Sequence, residues 1–206
     1  MIKILFQGDS ITDANRERTA DRHLGVGYPN LVAARLGFEE PGKYEFINRG
    51  ISGDRSIDVL ARIKRDLINL RPDVLSILMG INDVWHELAS ENGVSTEDYE
   101  LYYDILLSHI EKELPDTRIM ILEPFVLKGI ATSEKWEEFR RGAEEKAAAA
   151  ARAAKKHGIQ FVPLMAEFDE AAKLAEPSYW LEDGVHPTPM GHELIAREWM
   201  KAFNDR

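Results

Sequence analysis

The chain has 206 residues, 44% of them hydrophobic and 30% charged, with a formal net charge of −10 and no cysteine. That length suits one domain able to bury roughly 70% of its unfolded surface. The acid excess disfavours nucleic acid and anionic membranes as partners, and the lack of cysteine removes disulfides, thiolate nucleophiles and thiolate metal sites.

No stretch approaches the roughly 18 apolar residues of a membrane span. Met1 leads straight into an apolar strand, with no charged and then long apolar leader, so a cytoplasmic location is the default expectation.

Strand-length apolar runs alternate with segments of helical spacing. Ile2–Gln7 reads as the first strand, and Tyr28 to Leu36, opened by Pro29, as a helix. Tyr44–Arg49 is the second strand. Ser56 to Leu70 follows as one helix, with Ile57, Leu60, Ile63, Leu67 and Leu70 on one face. Val74–Met79 is the third strand, and Thr96 to Leu114 the next helix, with Thr96 as its cap. Arg118–Glu123 is the fourth strand. Glu134 to His157 is the longest helix and ends at Gly158, and its run Ala147–Ala151 reads as strong helix propensity or as close packing at a subunit contact. Gln160–Pro163 is the fifth strand, Glu167–Leu174 a short helix, and Pro189 to Phe203 the closing helix. Five strands with helical crossovers predict an α/β fold: a three-layer α/β/α sandwich, flavodoxin-like, around a central five-stranded parallel sheet.

In such a sheet the residues just beyond the strands gather on one edge. Ser10 stands there in Gly8-Asp9-Ser10, after the first strand. The triplet could simply cap a helix or form a turn. An aspartate nucleophile at Asp9 would want a second carboxylate where Ile11 stands, and neither phosphate-binding glycine pattern is present. A serine nucleophile needs a base and an anion cradle. Asp183 and His186 lie three residues apart, a spacing that lets a carboxylate orient an imidazole. His192 is a rival base without an acid at matching spacing, and His23, His86, His109 and His157 are too scattered for a metal site. Gly50 follows the second strand and could turn its N–H toward a ligand, or simply form a turn. Asn82 follows the third strand in Gly80-Ile-Asn-Asp, and its amide could stabilise an oxyanion or an Asx turn.

Four blocks in order resemble those of the SGNH hydrolases, the GDSL esterase/lipase family: Gly8-Asp-Ser-Ile-Thr-Asp13, Asn48-Arg-Gly-Ile-Ser-Gly53, Gly80-Ile-Asn-Asp83 and Asp183-Gly-Val-His186. Gln7 departs from the pattern, because that position is commonly apolar. The resemblance implies Ser10 as nucleophile, His186 as base, Asp183 as its acid, and an oxyanion hole of Ser10, Gly50 and Asn82. No cofactor or metal is implied. Gly80-Ile-Asn-Asp-Val-Trp85, Asp183-Gly-Val-His-Pro-Thr188 and Gly191-His192 resemble the bacterial branch of acetylxylan esterases and related carbohydrate deacetylases. That implies an ester substrate, an acetylated sugar or oligosaccharide, and self-association into a homo-oligomer. Asp9, Trp85 and Trp180 are expected to bind substrate, with core packing the other reading of the two tryptophans. A lysophospholipase, thioesterase or general short-chain esterase would use the same residues. A non-catalytic flavodoxin-like binding module would use none of them as chemistry.

Overall fold

The computed structural model describes residues 1–20 and 22–205. Strands β1 (Ile2–Gly8), β2 (Tyr44–Asn48), β3 (Val74–Leu78), β4 (Arg118–Leu122) and β5 (Gln160–Val162) form one parallel sheet in the order β2-β1-β3-β4-β5. This is the flavodoxin-like order. Each strand lies within about two residues of its expectation.

Parallel strands covered on both faces must be apolar on both faces. The two-residue repeat divides them cleanly. Ile4, Phe6, Val74, Leu78, Met120, Leu122 and Val162 point to one side, and Leu5, Leu75, Ile77, Ile119 and Ile121 to the other. Helices α2 (Tyr28–Glu39) and α10 (Pro189–Asn204) cover the first side with Tyr28, Val32, Ile195 and Trp199. Helices α3 (Ser56–Ala61), α6 (Thr96–Glu113) and α7 (Trp136–Lys156) cover the second with Val59, Tyr103, Leu107 and Ala150. The result is the expected three-layer sandwich.

Between these, α1 (Ser10–Asp13), α4 (Ile63–Asp66), α5 (Ile81–Ser90), α8 (Met165–Ala171) and α9 (Pro177–Trp180) complete the helices. Among the described residues, no helix is long and apolar enough to cross a membrane.

Three features differ from expectation. The helix over residues 56–70 is broken into α3, α4 and a 3₁₀ turn at Ile68–Leu70. The break at Arg62 turns its guanidinium inward, where it binds Asp54 Oδ2 at 2.6 Å and the carbonyls of Arg49 and Gly8 at 2.8 and 3.1 Å. Helix α5 was not expected, although Ile81, Val84, Trp85 and Leu88 follow helical spacing. Ser95, rather than Thr96, caps α6, its hydroxyl accepting the Asp98 N–H at 3.0 Å. In the alanine run of α7, Ala147, Ala149 and Ala150 are buried within this chain, whereas Ala148 is exposed. The buried three let the helix approach its neighbours closely, and the run lies wholly inside α7, as its helix propensity leads one to expect.

His157 ends α7 and clamps it to α6. Its Nδ1 meets Glu111 and its Nε2 meets Asp104, each at 2.8 Å. Both ring nitrogens face carboxylates, so the ring is best bonded when charged. Burial opposes that charge, but the two hydrogen bonds outweigh it and raise the ring's pKa. The clamp therefore contributes fully below the unfolded value near 6.5 and is lost as pH rises through the folded value. His157→Ala is expected to lower Tm more at pH 6 than at pH 9. An equal loss at both pH values in thermal melts would refute the charged clamp.

Candidate active site

β1 and β3 are neighbours, while the helices that follow them, α2 and α6, cover opposite faces. A crevice opens between the carboxyl ends of these two strands, the usual ligand position in open α/β sheets. Ser10 stands at one lip and Asn82 at the other.

Gly8 allows β1 to end there. A Cβ on it would lie 2.2 Å from the Leu78 carbonyl oxygen of β3. The buried Asp9 carboxylate accepts the Ile11 N–H at 3.0 Å and caps α1, so Ser10 begins a helical turn without its hydroxyl being used for the cap.

Asp183 and His186 come from a tight loop closed by pairing between Leu181 and Pro187. Asp183 Oδ1 accepts the N–H groups of Val185 and His186 at 2.9 and 2.8 Å, and its Oδ2 accepts His186 Nδ1–H at 2.7 Å. This leaves His186 Nε2 as an acceptor, 3.1 Å from Ser10 Oγ. Burial alone would raise the Asp183 carboxyl, but the three donors hold it down at about 2. The Asp183 carboxylate in turn raises the His186 pKa, against the effect of the ring's partial burial.

The loop is seated by backbone. Leu127 N–H donates to the Gly184 carbonyl and Ala131 N–H to the Asp183 carbonyl, each at 2.9 Å. Gly129 lets the chains touch, because a Cβ there would lie 2.4 Å from the Asp183 carbonyl.

The second block is corrected by its hydrogen bonds. The Gly50 N–H is held by Asn48 Oδ1 at 2.9 Å, and the Gly50 carbonyl accepts Arg16 Nε–H at 2.7 Å. Gly50 is glycine because a Cβ would lie 2.3 Å from the Asp13 N. It is a buried packing residue whose N–H is already spent. Gly53, three residues on, lines the cavity beside Ser10 at φ +87°, a conformation glycine adopts without strain. Among the described residues its N–H meets no acceptor. Gly53, the second glycine of the Asn48–Gly53 block, was the overlooked candidate, and its place in a Ser-Gly turn was the available signal.

Asn82 sits in the first turn of α5. One amide N–H donates to the Asp54 carbonyl at 3.1 Å, which leaves the other for a ligand. Its neighbour Asp83 is buried and accepts the Ser56 N–H at 3.1 Å, tying α5 to the start of α3. Burial raises the Asp83 carboxyl to about 6 against these bonds.

Ser10, Gly53, Asn82, Trp85, His186 and His192 line one open cavity of about 780 Å³. Trp85 packs its ring 5.7 Å from that of His186. Trp180 does not reach this cavity. It lines a separate hollow with Met190 and Leu194, because its ring packs against Tyr179 instead. Asp9 is also removed from substrate, since it is fully buried, and burial raises its carboxyl to about 7. His192 is no rival base: its Nδ1 accepts the Tyr28 N–H at 3.2 Å, and burial lowers its pKa to about 4. Gln7 fits its strand, its Oε1 accepting the Gly8 N–H at 3.0 Å. Among the described residues no three His, Asp or Glu side chains gather as a metal site.

Residues 6–194 match the GDSL-like lipase/acylhydrolase family. The chain is 32% identical over 209 residues to an acetylxylan esterase of Geobacillus stearothermophilus, covering 97% of this chain and 92% of that one. The solved structure of an acetylxylan esterase from that organism superposes with a TM-score of 0.89 at 31% identity, over 100% of this chain and 95% of the other. A candidate GDSL-like lipase from Parabacteroides merdae superposes with a TM-score of 0.93 at 38% identity, over 98% and 94%. The chain belongs to the GDSL-like lipase/acylhydrolase family and is a carboxylic ester hydrolase.

Proposed function

We propose that the protein removes acetyl groups from carbohydrate esters through an acyl-enzyme formed on Ser10. The observation that carries this reading is the unbroken hydrogen-bond chain from Asp183 through His186 to Ser10, facing Gly53 and Asn82 across the cavity. The acetyl-sugar preference is supported by the likeness to acetylxylan esterases.

In this scheme His186 Nε2 takes the Ser10 proton as Oγ attacks the ester carbonyl. The carbonyl oxygen becomes an anion, met by the N–H groups of Ser10 and Gly53 and the free amide N–H of Asn82. Asp183 stabilises the imidazolium. Collapse of the tetrahedral intermediate breaks the ester C–O bond, and His186 gives its proton to the departing alcohol. Water, activated by the same ring, then releases the acid and restores Ser10.

Ser10→Ala is expected to abolish turnover of p-nitrophenyl acetate while its circular dichroism stays native. Retained turnover would remove Ser10 from the scheme. Asn82→Ala should lower kcat by about 10²–10³-fold. A change confined to KM would instead make the amide a ground-state contact.

The raised His186 pKa means the proton-accepting ring is lost as pH falls through a value above the ordinary 6.5. The plot of kcat/KM against pH should therefore decline on the acid side and level off above that value. The buried Asp9, whose carboxyl is pushed up to about 7, is coupled to His186 by charge, so Asp183→Asn is needed to identify the group behind the limb. Asp183→Asn is expected to move the limb to lower pH and lower its plateau. An unmoved limb would assign it to another group.

Acetylated xylo-oligosaccharides and other acetylated sugars, set beside lysophospholipids and long-chain nitrophenyl esters, test the substrate. Higher kcat/KM on the acetylated sugars is expected, and preference for long acyl chains would overturn that choice.

A further inference from the structure

His192 lines the cavity but has no part in the acyl-transfer scheme. It stands on α10, six residues beyond His186. Its Nδ1 accepts the Tyr28 backbone N–H at 3.2 Å, so the ring proton belongs to Nε2. The ring is held in that orientation from behind. Gly27 approaches so closely that a Cβ there would lie 2.8 Å from His192 Cε1 and 3.1 Å from Nδ1. Only 7% of the residue is exposed. Yet Nε2 is not among the buried atoms left without a partner, and no hydrogen bond among the described residues uses it. It opens on the cavity as a donor without an acceptor. Burial, reinforced by the charge of His186, lowers the pKa of the ring to about 4, so the donor stays neutral through the neutral pH range.

Its place indicates which part of an ester it meets. Gly53 and Asn82, from the loops after β2 and β3, would gather the carbonyl oxygen. His186 hands its proton to the departing alcohol, so that alcohol lies against the segment carrying His186. Pro187, Pro189 and His192 continue the cavity wall along that segment.

We propose that His192 is a specificity-determining residue whose Nε2–H donates to an oxygen on the alcohol part of the ester, a hydroxyl or ring oxygen of a polyol. The assignment rests on the ester-hydrolase reading above and extends it to the leaving group. A neutral donor suits an uncharged polyol, because leaving it unpaired against a hydrocarbon group costs a hydrogen bond.

Two substitutions separate this role from support of the fold. His192→Asn keeps an acceptor for the Tyr28 N–H but withdraws the donor from the cavity. His192→Gln carries an amide to the Nε2 position. Acetylated xylobiose and glycerol monoacetate present the second oxygen, whereas phenyl acetate has none on its leaving group. His192→Asn is expected to raise KM for the two polyol esters about three- to tenfold, with a clearly smaller effect on phenyl acetate and on kcat. His192→Gln should recover most of the loss. Equal losses on all three esters, or no loss on any, would overturn the assignment. Wild-type protein inert toward all three would overturn the esterase reading itself, a failure distinct from loss of the histidine's role alone.

Discussion

Parallel pairing of β1 with β3 is the constraint on which the site depends. It sets Gly8 beside Leu78, so both chains run out of the sheet at the same level. Their helical crossovers then leave for opposite faces, and a crevice opens that no helix fills. The loops at its rim carry backbone groups with no strand to pair with, and these must find partners. Asn48 does much of this, donating to the Thr12 and Leu24 carbonyls at 2.6 and 2.9 Å while accepting the Gly50 N–H. Arg16 and Arg62 bind the carbonyls of Gly50, Arg49 and Gly8. In a chain of net charge −10, two arginine guanidinium groups are thus committed to the loops around the serine.

Three aspartates at this edge show how the surroundings set a carboxylate's chemistry. Asp183 has three donors, which hold its carboxyl down at about 2. Asp83 has the Ser56 N–H and hydroxyl but deep burial, and rises to about 6. Asp9 has one donor, the Ile11 N–H, and a second oxygen with no partner, and rises to about 7. The acid that faces the imidazole ring is the one held charged. The buried Asp9 keeps its proton to near neutrality, which the unfolded chain would give up near 3.8. The native state therefore binds the extra proton between those values, and Asp9 draws down stability as pH rises through them. It nevertheless caps the helix that begins with Ser10, so its position serves the site at that cost.

Much of this was legible from local pattern. The strands were visible because parallel, doubly buried strands are continuous apolar runs, and Ser10, Asn82 and the Asp183–His186 pair because each stands just past a strand or within one short turn. What was missed depended on long-range contacts. Gly50 and Gly53 look alike in sequence; they differ in that one N–H is spent on Asn48 and the other is not. Trp180 is three residues from Asp183 along the chain, yet its ring packs on Tyr179 and lines a different hollow. The helix over 56–70 broke because Arg62 had partners at the end of β1 and in the loop after β2, which periodicity cannot register. Helix α5 is the exception, since its spacing was plain and its residues were read for donors instead.

The close approaches divide labour between backbone and side chains. Gly8 against Leu78, Gly50 against Asp13, Gly129 against Asp183 and Gly191 against the Trp180 carbonyl are all contacts in which a Cβ would fall within about 2.4 Å of main-chain atoms. Each fixes one segment directly on the backbone of another, so the relative positions of Ser10 and the Asp183–His186 loop follow largely from main-chain packing. Such a cradle is in place before any ester arrives, which is what makes fixed donors effective toward a developing anion. The side chains of Trp85 on α5 and His192 on α10 lie outside that framework and face the cavity. In the proposed scheme, changes there would alter which alcohol or acyl group is held without moving Ser10 or the Asp183–His186 loop. The chemistry of that scheme therefore rests on glycine-packed loops and on Asn82 at the start of α5, and selection on the side chains of Trp85 and His192.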